Sequence, residues 1–340
     1  MPNLPTRKLG RNGPKVTALG FGAMGLSAFY GPPKPDPERH AFLTEAYNLG
    51  ARNWDSANIY GDNEDLIGAW FKANPGKREH IFLATKFGGV ITATGMQIDS
   101  SPENCKAACA KSLERLGIDT IDLYYCHRLD RKTPIEKTVA AMKELVDEGK
   151  VKYIGLSECS AESLRRAHKV HPIAAVQIEY SPWSLDIEDP RIGLLATARE
   201  LGVAIVAYSP IGRGMLSGQL RSRADLAADD YRLHMPRFSE ENFSKNLKLV
   251  DQIQAFAEKK GVTPTQLTLA WLMAQGDDII PIPGTTRVDR LKENLGALDV
   301  KLTKEELKEI RDAAQAADAV VGDRYGGAAA ASLFADTPAL

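Results

Sequence analysis

Four residues of uncommon chemistry stand at or just after the ends of successive apolar runs. Asp55 closes the run from Ala51, Lys86 the run from Ile81, and His127 the run from Ile121, while Tyr60 lies in the Ser56–Gly61 stretch after the first. A phenol with a reference pKa near 10 donates protons well only when brought closer to neutrality. A neighbouring ammonium does that by stabilising the phenolate. A carboxylate keeps the lysine charged in a partly dry pocket, and an imidazole can orient a substrate oxygen or relay the proton. Tyr60 is therefore the expected general acid, Lys86 its tuner, Asp55 the anchor of Lys86, and His127 the substrate orienter. Taken singly, Asp55 reads as a helix cap, Tyr60 as a half-buried aromatic, Lys86 as a solvated strand end and His127 as a core histidine. Together, in this order, they read as a site.

The elements that must hold them follow from the spacing. A helical segment separates each run from the next, which favours parallel neighbouring strands. Parallel strands lie about 4.8 Å apart and share a direction, so their final residues converge at one sheet edge. Arg7–Val16 alternates around Asn12-Gly13, a hairpin signal. Val16–Met24 then reads as a first buried strand, and Lys152–Leu156, Ala174–Ile178, Val203–Ala207 and Asp278–Ile282 complete a set of eight. Helices are expected over Asp36–Leu49, Pro102–Leu116 and Pro134–Glu148, the last two with proline in the first turn and glycine just beyond the end. Strands alternating with helices, without a linker, predict a single (β/α)₈ barrel domain over residues 1–340. A doubly wound two-domain fold is disfavoured, because no Gly-x-Gly-x-x-Gly follows the first strand. About 70 residues, Ser209 to Asp277, separate the last two strands and include the Arg/Asp-rich Arg221–Arg237. Insertions that long are usually lids or binding segments. The Ala/Gly-rich 318–340 stretch is expected either as a flexible tail or as a cover for the barrel mouth.

A net charge of −1 gives no reason to expect nucleic acid or an anionic membrane as partner, and no apolar run reaches spanning length. Met1–Lys8 lacks a signal-peptide core, and four cysteines in 340 residues suggest reduced thiols in a cytoplasmic setting. Cys105 and Cys109 lie one helical turn apart without a second ligand pair, so packing rather than metal is expected.

The Asp55-x4-Tyr60-Gly61-x2-Glu64 stretch, Lys86, His127 and Pro281-Ile282-Pro283-Gly284-Thr285 together resemble the aldo-keto reductase family, in order from Leu19 to about Leu298. Gly155–Glu158, Gln177–Ser181 and Asp318–Tyr325 resemble the branch that holds plant auxin-induced-type reductases, perakine reductase and yeast pyridoxal reductase. The resemblance implies a TIM barrel, the tetrad just described, and NADPH across the barrel mouth. It implies that Ser157 and Gln177 hold the nicotinamide carboxamide and that Tyr208 stacks on the ring. Glu158 departs from the asparagine many members have there, which leaves its carboxamide contact open. Ser209, Pro210, Gly212, Arg213 and Gly214 form a loop whose backbone suits a pyrophosphate, with a plain turn as the alternative. Gly284 and Thr285 lead into a helix start where Arg287 and Arg290 suit the 2′-phosphate of NADPH, with Glu293 and Asn294 at the adenine.

Reducing a carbonyl needs hydride on carbon and a proton on oxygen, which suits this tetrad. The expected function is reversible NADPH-dependent reduction of aldehydes or ketones to alcohols, with Phe29, Tyr30, Trp54, Phe87, Arg128 and Trp183 as candidate pocket walls. An aromatic cleft suits aryl or bulky carbonyls. Two alternatives stay open: a lyase using Lys86 as Schiff-base nucleophile, and a non-catalytic NADP(H)-binding regulatory partner. Oligomeric state and natural substrate are left open.

Overall fold

The computed structural model describes residues 3–93, 95–316 and 320–340. Its centre is a parallel sheet of eight strands: Phe21–Gly22, Asn53–Asp55, Phe82–Phe87, Ile121–Cys126, Val151–Ser157, Ala175–Glu179, Ala204–Tyr208 and Ile279–Pro281. Each pairs with its sequence neighbour, as right-handed strand–helix–strand units require. The circle closes where the Gly20 amide donates to the Pro281 carbonyl at 2.8 Å and Gly22 bridges Gly284. The expected TIM barrel is what the chain forms.

The first strand is shorter than expected. Val16 and Thr17 belong instead to a hairpin in which Thr6–Lys8 pairs antiparallel with Lys15–Thr17, leaving Phe21–Gly22 as the barrel strand. Asn12-Gly13 is not a two-residue turn; the loop spans 9–14 and is closed by the Leu9 amide on the Pro14 carbonyl at 2.9 Å. Arg7 donates to the carbonyls of Gly276 (2.8 Å) and Met273 (2.7 Å), and the Arg11 amide to Gly202 (2.7 Å). These contacts sit where strands seven and eight begin, so the hairpin closes the barrel end opposite the tetrad. Leu9 and Val16 thereby join Ala84, Leu123, Ala175, Val206 and Ile280 in the barrel interior.

Helices form the outer layer. Ser101 caps Pro102–Leu116 by accepting the Asn104 amide at 3.2 Å, and Gly117 ends it at φ 61°. Leu66, Trp70, Leu116, Val139, Met142 and Leu164 are buried between helices and strands. After the third strand an unanticipated hairpin, Gly89–Thr92 with Gly95–Ile98, stands beside the mouth. The segment between strands seven and eight holds short 3₁₀ turns and the helices Glu240–Lys260 and Pro264–Met273. Of the expected tail, Asp318 and Ala319 lie outside the described residues. From residue 320 onward the chain packs over the mouth, with Ala335 forming a parallel bridge to Cys159 just after strand five. Among the described residues no helix is long and apolar enough to cross a membrane.

Candidate active site

Strand geometry decides which side chains meet. Successive residues point to opposite sheet faces, and Asp55 and Lys86 point into the barrel. Lys86 is wholly buried, its ammonium paired with Asp55 and donating to the Ser56 carbonyl at 2.7 Å. The same ammonium lies 5.0 Å from the centre of the Tyr60 ring. His127 follows the fourth strand, its amide on the Phe87 carbonyl at 2.7 Å, and its ring stands perpendicular to that of Tyr60 at 5.8 Å between centres. The four residues expected to meet do meet.

The loop carrying Tyr60 is fixed from several sides. Gly61 adopts φ 56°, and a Cβ there would come 2.9 Å from the Ser27 carbonyl oxygen, so glycine is required by both conformation and space. Arg115, which sequence reasoning did not single out, donates to the carbonyls of Asn58 (3.2 Å) and Gly61 (2.5 Å) and to Glu64 (3.1 Å). Glu64 itself is buried and accepts the Thr85 hydroxyl at 2.6 Å.

Electrostatics sort the roles. Burial opposes the Lys86 charge, but Asp55 and Tyr60 outweigh it and lift the ammonium above its ordinary pKa. Burial pushes the Tyr60 phenol upward, against the pull of Lys86 and, more weakly, Arg128. The expected net approach to neutrality is thus not what this buried site gives; the phenol keeps its proton. Burial, with Arg128 and Lys86, drives His127 well below its ordinary value, so the imidazole is neutral.

Opposite the tetrad lie the ends of strands five to seven. The Gln177 amide nitrogen donates to Asp55 at 2.7 Å, tying that side to the tetrad, and Ser157 Oγ accepts from Arg128 at 3.1 Å. Tyr208 donates its hydroxyl to Glu158 at 2.7 Å. Both Glu158 oxygens are taken by Arg324, at 3.1 and 3.0 Å, so this carboxylate is not turned toward a carboxamide. Ser209, Gly212, Arg213 and Gly214 all have positive φ, and Pro210 is buried between them. The Arg213 side chain reaches inward to Glu179 (3.5 Å) and the Tyr325 hydroxyl (2.6 Å). Gly284 sits against Gly22, where a Cβ would meet the Gly22 oxygen at 3.0 Å. Beyond it, Thr285 Oγ accepts the Arg287 amide at 3.1 Å, Arg287 pairs with Asp289 and Arg290 pairs with Glu293 at 2.6 Å, while Asn294 is buried.

A family model described as the aldo/keto reductase family matches residues 18–315. The chain belongs to that family. It is 55% identical to aldo-keto reductase str7 of Strobilurus tenacellus, covering 99% of each chain. It is 51% identical to aldo-keto reductase yakc [NADP(+)] of Schizosaccharomyces pombe, covering 99% of this chain and 98% of that one. Among solved structures it resembles the glycerol dehydrogenase AKR11B4 of Gluconobacter oxydans (TM-score 0.82, 25% identity, 95% of this chain and 99% of that one). It also resembles the thermostable aldo-keto reductase Tm1743, solved with the inhibitor epalrestat (TM-score 0.72, 30% identity, 91% and 99%).

In this aldo/keto reductase the walls differ from those expected. Trp54 and Phe87 are fully buried on the outer barrel face, Trp54 against Trp70 and Phe71, Phe87 stacked on Tyr124. Both follow the alternation rule: each adjoins an inward-facing tetrad residue and so faces outward. Trp183 is also buried, edge-on to Phe238. Phe29 does lie by the tetrad, 6.2 Å from Tyr60 and 5.8 Å from Tyr231 between ring centres. Tyr30 is partly exposed, with the Arg232 guanidinium 5.3 Å above its ring. Tyr231 and Arg232 come from the long insertion, and Arg324 and Tyr325 from the C-terminal segment. Both stretches stood out in the sequence, as an Arg/Asp-rich insertion and as a stretch resembling one branch of the family, but nothing local assigned these four residues to the site.

Proposed function

We propose that this chain reduces aldehydes or ketones to alcohols with NADPH, reversibly, and that Tyr60 is the general acid. The observation that carries this reading is the buried Asp55–Lys86 pair directed at the Tyr60 phenol. The donor chemistry of the mouth suits the dinucleotide. The helix Val288–Gly296 begins without a side-chain cap, leaving first-turn amides for an anion, with two guanidiniums beside it. The pair Arg287–Asp289 is exposed and of the kind that exchanges readily, while Arg290–Glu293 is partly covered. Ser157 and Gln177 offer an amide-binding edge, Tyr208 a ring face, and the loop from Ser209 to Gly214 its backbone; the NADP(+) in the name of the fission-yeast relative agrees. Bound there, the cofactor would supply the hydride.

The protein's own residues then handle the proton. Tyr60, kept protonated, donates to the carbonyl oxygen as charge develops there. Lys86 stabilises the phenolate left behind, and Asp55 with Gln177 holds Lys86 in line. Neutral His127 donates a hydrogen bond that orients the carbonyl oxygen. Phe29, Tyr30 and Tyr231 give the substrate an aromatic surface, which favours aryl or bulky carbonyls. Arg128 lies beside the tetrad with its charge turned to the same space.

A Schiff-base role for Lys86 is disfavoured, since such a lysine must lose its proton and this one is held charged. The test is loss of NADPH absorbance with a panel of aryl aldehydes, pyridoxal and aliphatic ketones. Tyr60→Phe is expected to lower turnover by at least about 10²–10⁴-fold while NADPH still binds. Undiminished turnover in that variant would remove Tyr60 from the reaction, and no turnover by the unmodified protein would favour a regulatory nucleotide-binding role.

A further inference from the structure

The C-terminal segment brings an ion cluster to the side of the mouth where strands five to seven end. Arg324, almost fully buried, grips both oxygens of Glu158 and lies 4.0 Å from Glu179 and 3.9 Å from Asp186. Glu158 is wholly buried and sits at φ 50°, a left-handed conformation unfavourable for a residue with a Cβ. Its backbone is pinned on both sides, the amide on the Gln177 carbonyl at 3.1 Å and the carbonyl receiving the Ala335 amide at 2.7 Å. The Ser160 amide completes the rung by donating to the Ala335 carbonyl at 2.8 Å. The Phe334 ring lies 5.0 Å from the Arg324 guanidinium. Together with the Glu179 amide, which donates to Glu158 Oε1 at 3.4 Å, these contacts fix the direction of the carboxylate.

That carboxylate is the acceptor for Tyr208. One oxygen, Oε1, takes the Tyr208 hydroxyl and one arm of Arg324 together. Tyr325 closes the other side, its hydroxyl 3.4 Å from that of Tyr208 and held by Arg213 at 2.6 Å. A fork-to-fork arginine–carboxylate pair is directionally specific, so the orientation of Arg324 determines where the Tyr208 oxygen rests.

We propose that Arg324 is a positioning residue for the nicotinamide. By holding Glu158 it sets the tilt of the Tyr208 ring, the face on which the nicotinamide is to stack. The proposal rests on the nucleotide reading given above. It also accounts for glutamate at position 158: an uncharged amide there would not form the two-armed ion pair with Arg324. The C-terminal segment is then part of the cofactor site rather than a cover over it.

The experiment is a double-variant cycle on the full chain, read by fluorescence titration with NADPH, by kcat and KM, and by thermal melting. Arg324→Met is expected to raise the NADPH Kd roughly tenfold, the size of a strong pairwise coupling. In a Tyr208→Phe background, where no hydroxyl rests on Glu158, the same change should alter Kd less than about twofold. Arg324→Met leaves a buried carboxylate unpaired and is prone to misfold. Arg324→Met with Glu158→Gln removes that charge, and is expected to regain the melting temperature but not the NADPH affinity. Equal effects of Arg324→Met in both backgrounds, or recovery of affinity together with melting temperature, would overturn the proposal. If the unmodified protein binds no NADPH, the nucleotide reading itself fails and this one with it. If it binds NADPH and Arg324→Met matches it, only the role of Arg324 falls.

Discussion

At the scale of single residues, the proposed proton donor, Tyr60, is kept loaded by its surroundings. Burial raises the Tyr60 phenol, so its proton is retained below that raised value and lost only as pH climbs through it. Carbonyl reduction needs the protonated phenol, whereas alcohol oxidation needs the phenolate. Reduction should therefore hold from about pH 7 to 9 and decline only above the ordinary tyrosine range, near pH 10, with oxidation gaining there. The lowered His127 stays neutral across this span and contributes no acid limb near its ordinary 6.5. A pH profile of kcat/KM in both directions checks this. A limb near pH 6.5 that disappears in His127→Gln would show that the imidazole titrates in the working range after all.

At the scale of elements, the proposed tasks divide between the strand ends and the helix after the last strand. Arg287 and Arg290 stand at that helix start, away from the tetrad. Arg287→Ala with Arg290→Ala is expected to raise KM for NADPH at least about tenfold, the weight of one charge-assisted hydrogen bond, and to leave NADH nearly unchanged. Parallel titration with the two nucleotides is the measurement; equal loss for both would detach these arginines from the 2′-phosphate. Asp55, Lys86 and His127 were legible because each ends an apolar run, a pattern that survives in any parallel sheet. Trp54 and Phe87 were misplaced although the alternation rule was at hand, since neighbours in sequence on a strand are on opposite faces. Phe21–Gly22 escaped because two residues carry no period. Arg324 stood in a stretch whose resemblance was noticed, but its role escaped because nothing around it points to a partner 166 positions earlier.

At the scale of the whole molecule, the barrel has a built face and a closed one. The hairpin at the closed end inserts Leu9, only 1% exposed, into the barrel interior with Val16. Leu9→Ala should cost about 2–5 kcal/mol through lost burial and the cavity left behind. Denaturant unfolding measures that loss, and nucleotide affinity at the far end should remain unchanged. A large change in NADPH affinity without loss of stability would mean the two ends are coupled.

The ion cluster at the mouth also has a consequence in time. Arg324 is translated 166 residues after the Glu158 it grips. At synthesis rates of roughly 5–20 residues per second, that is a delay on the order of ten seconds. Throughout that interval Glu158 lacks the counter-ion that its burial calls for, and its carboxylate must stay hydrated. The surroundings of Glu158 can therefore dry and set only after all eight strands have been synthesised.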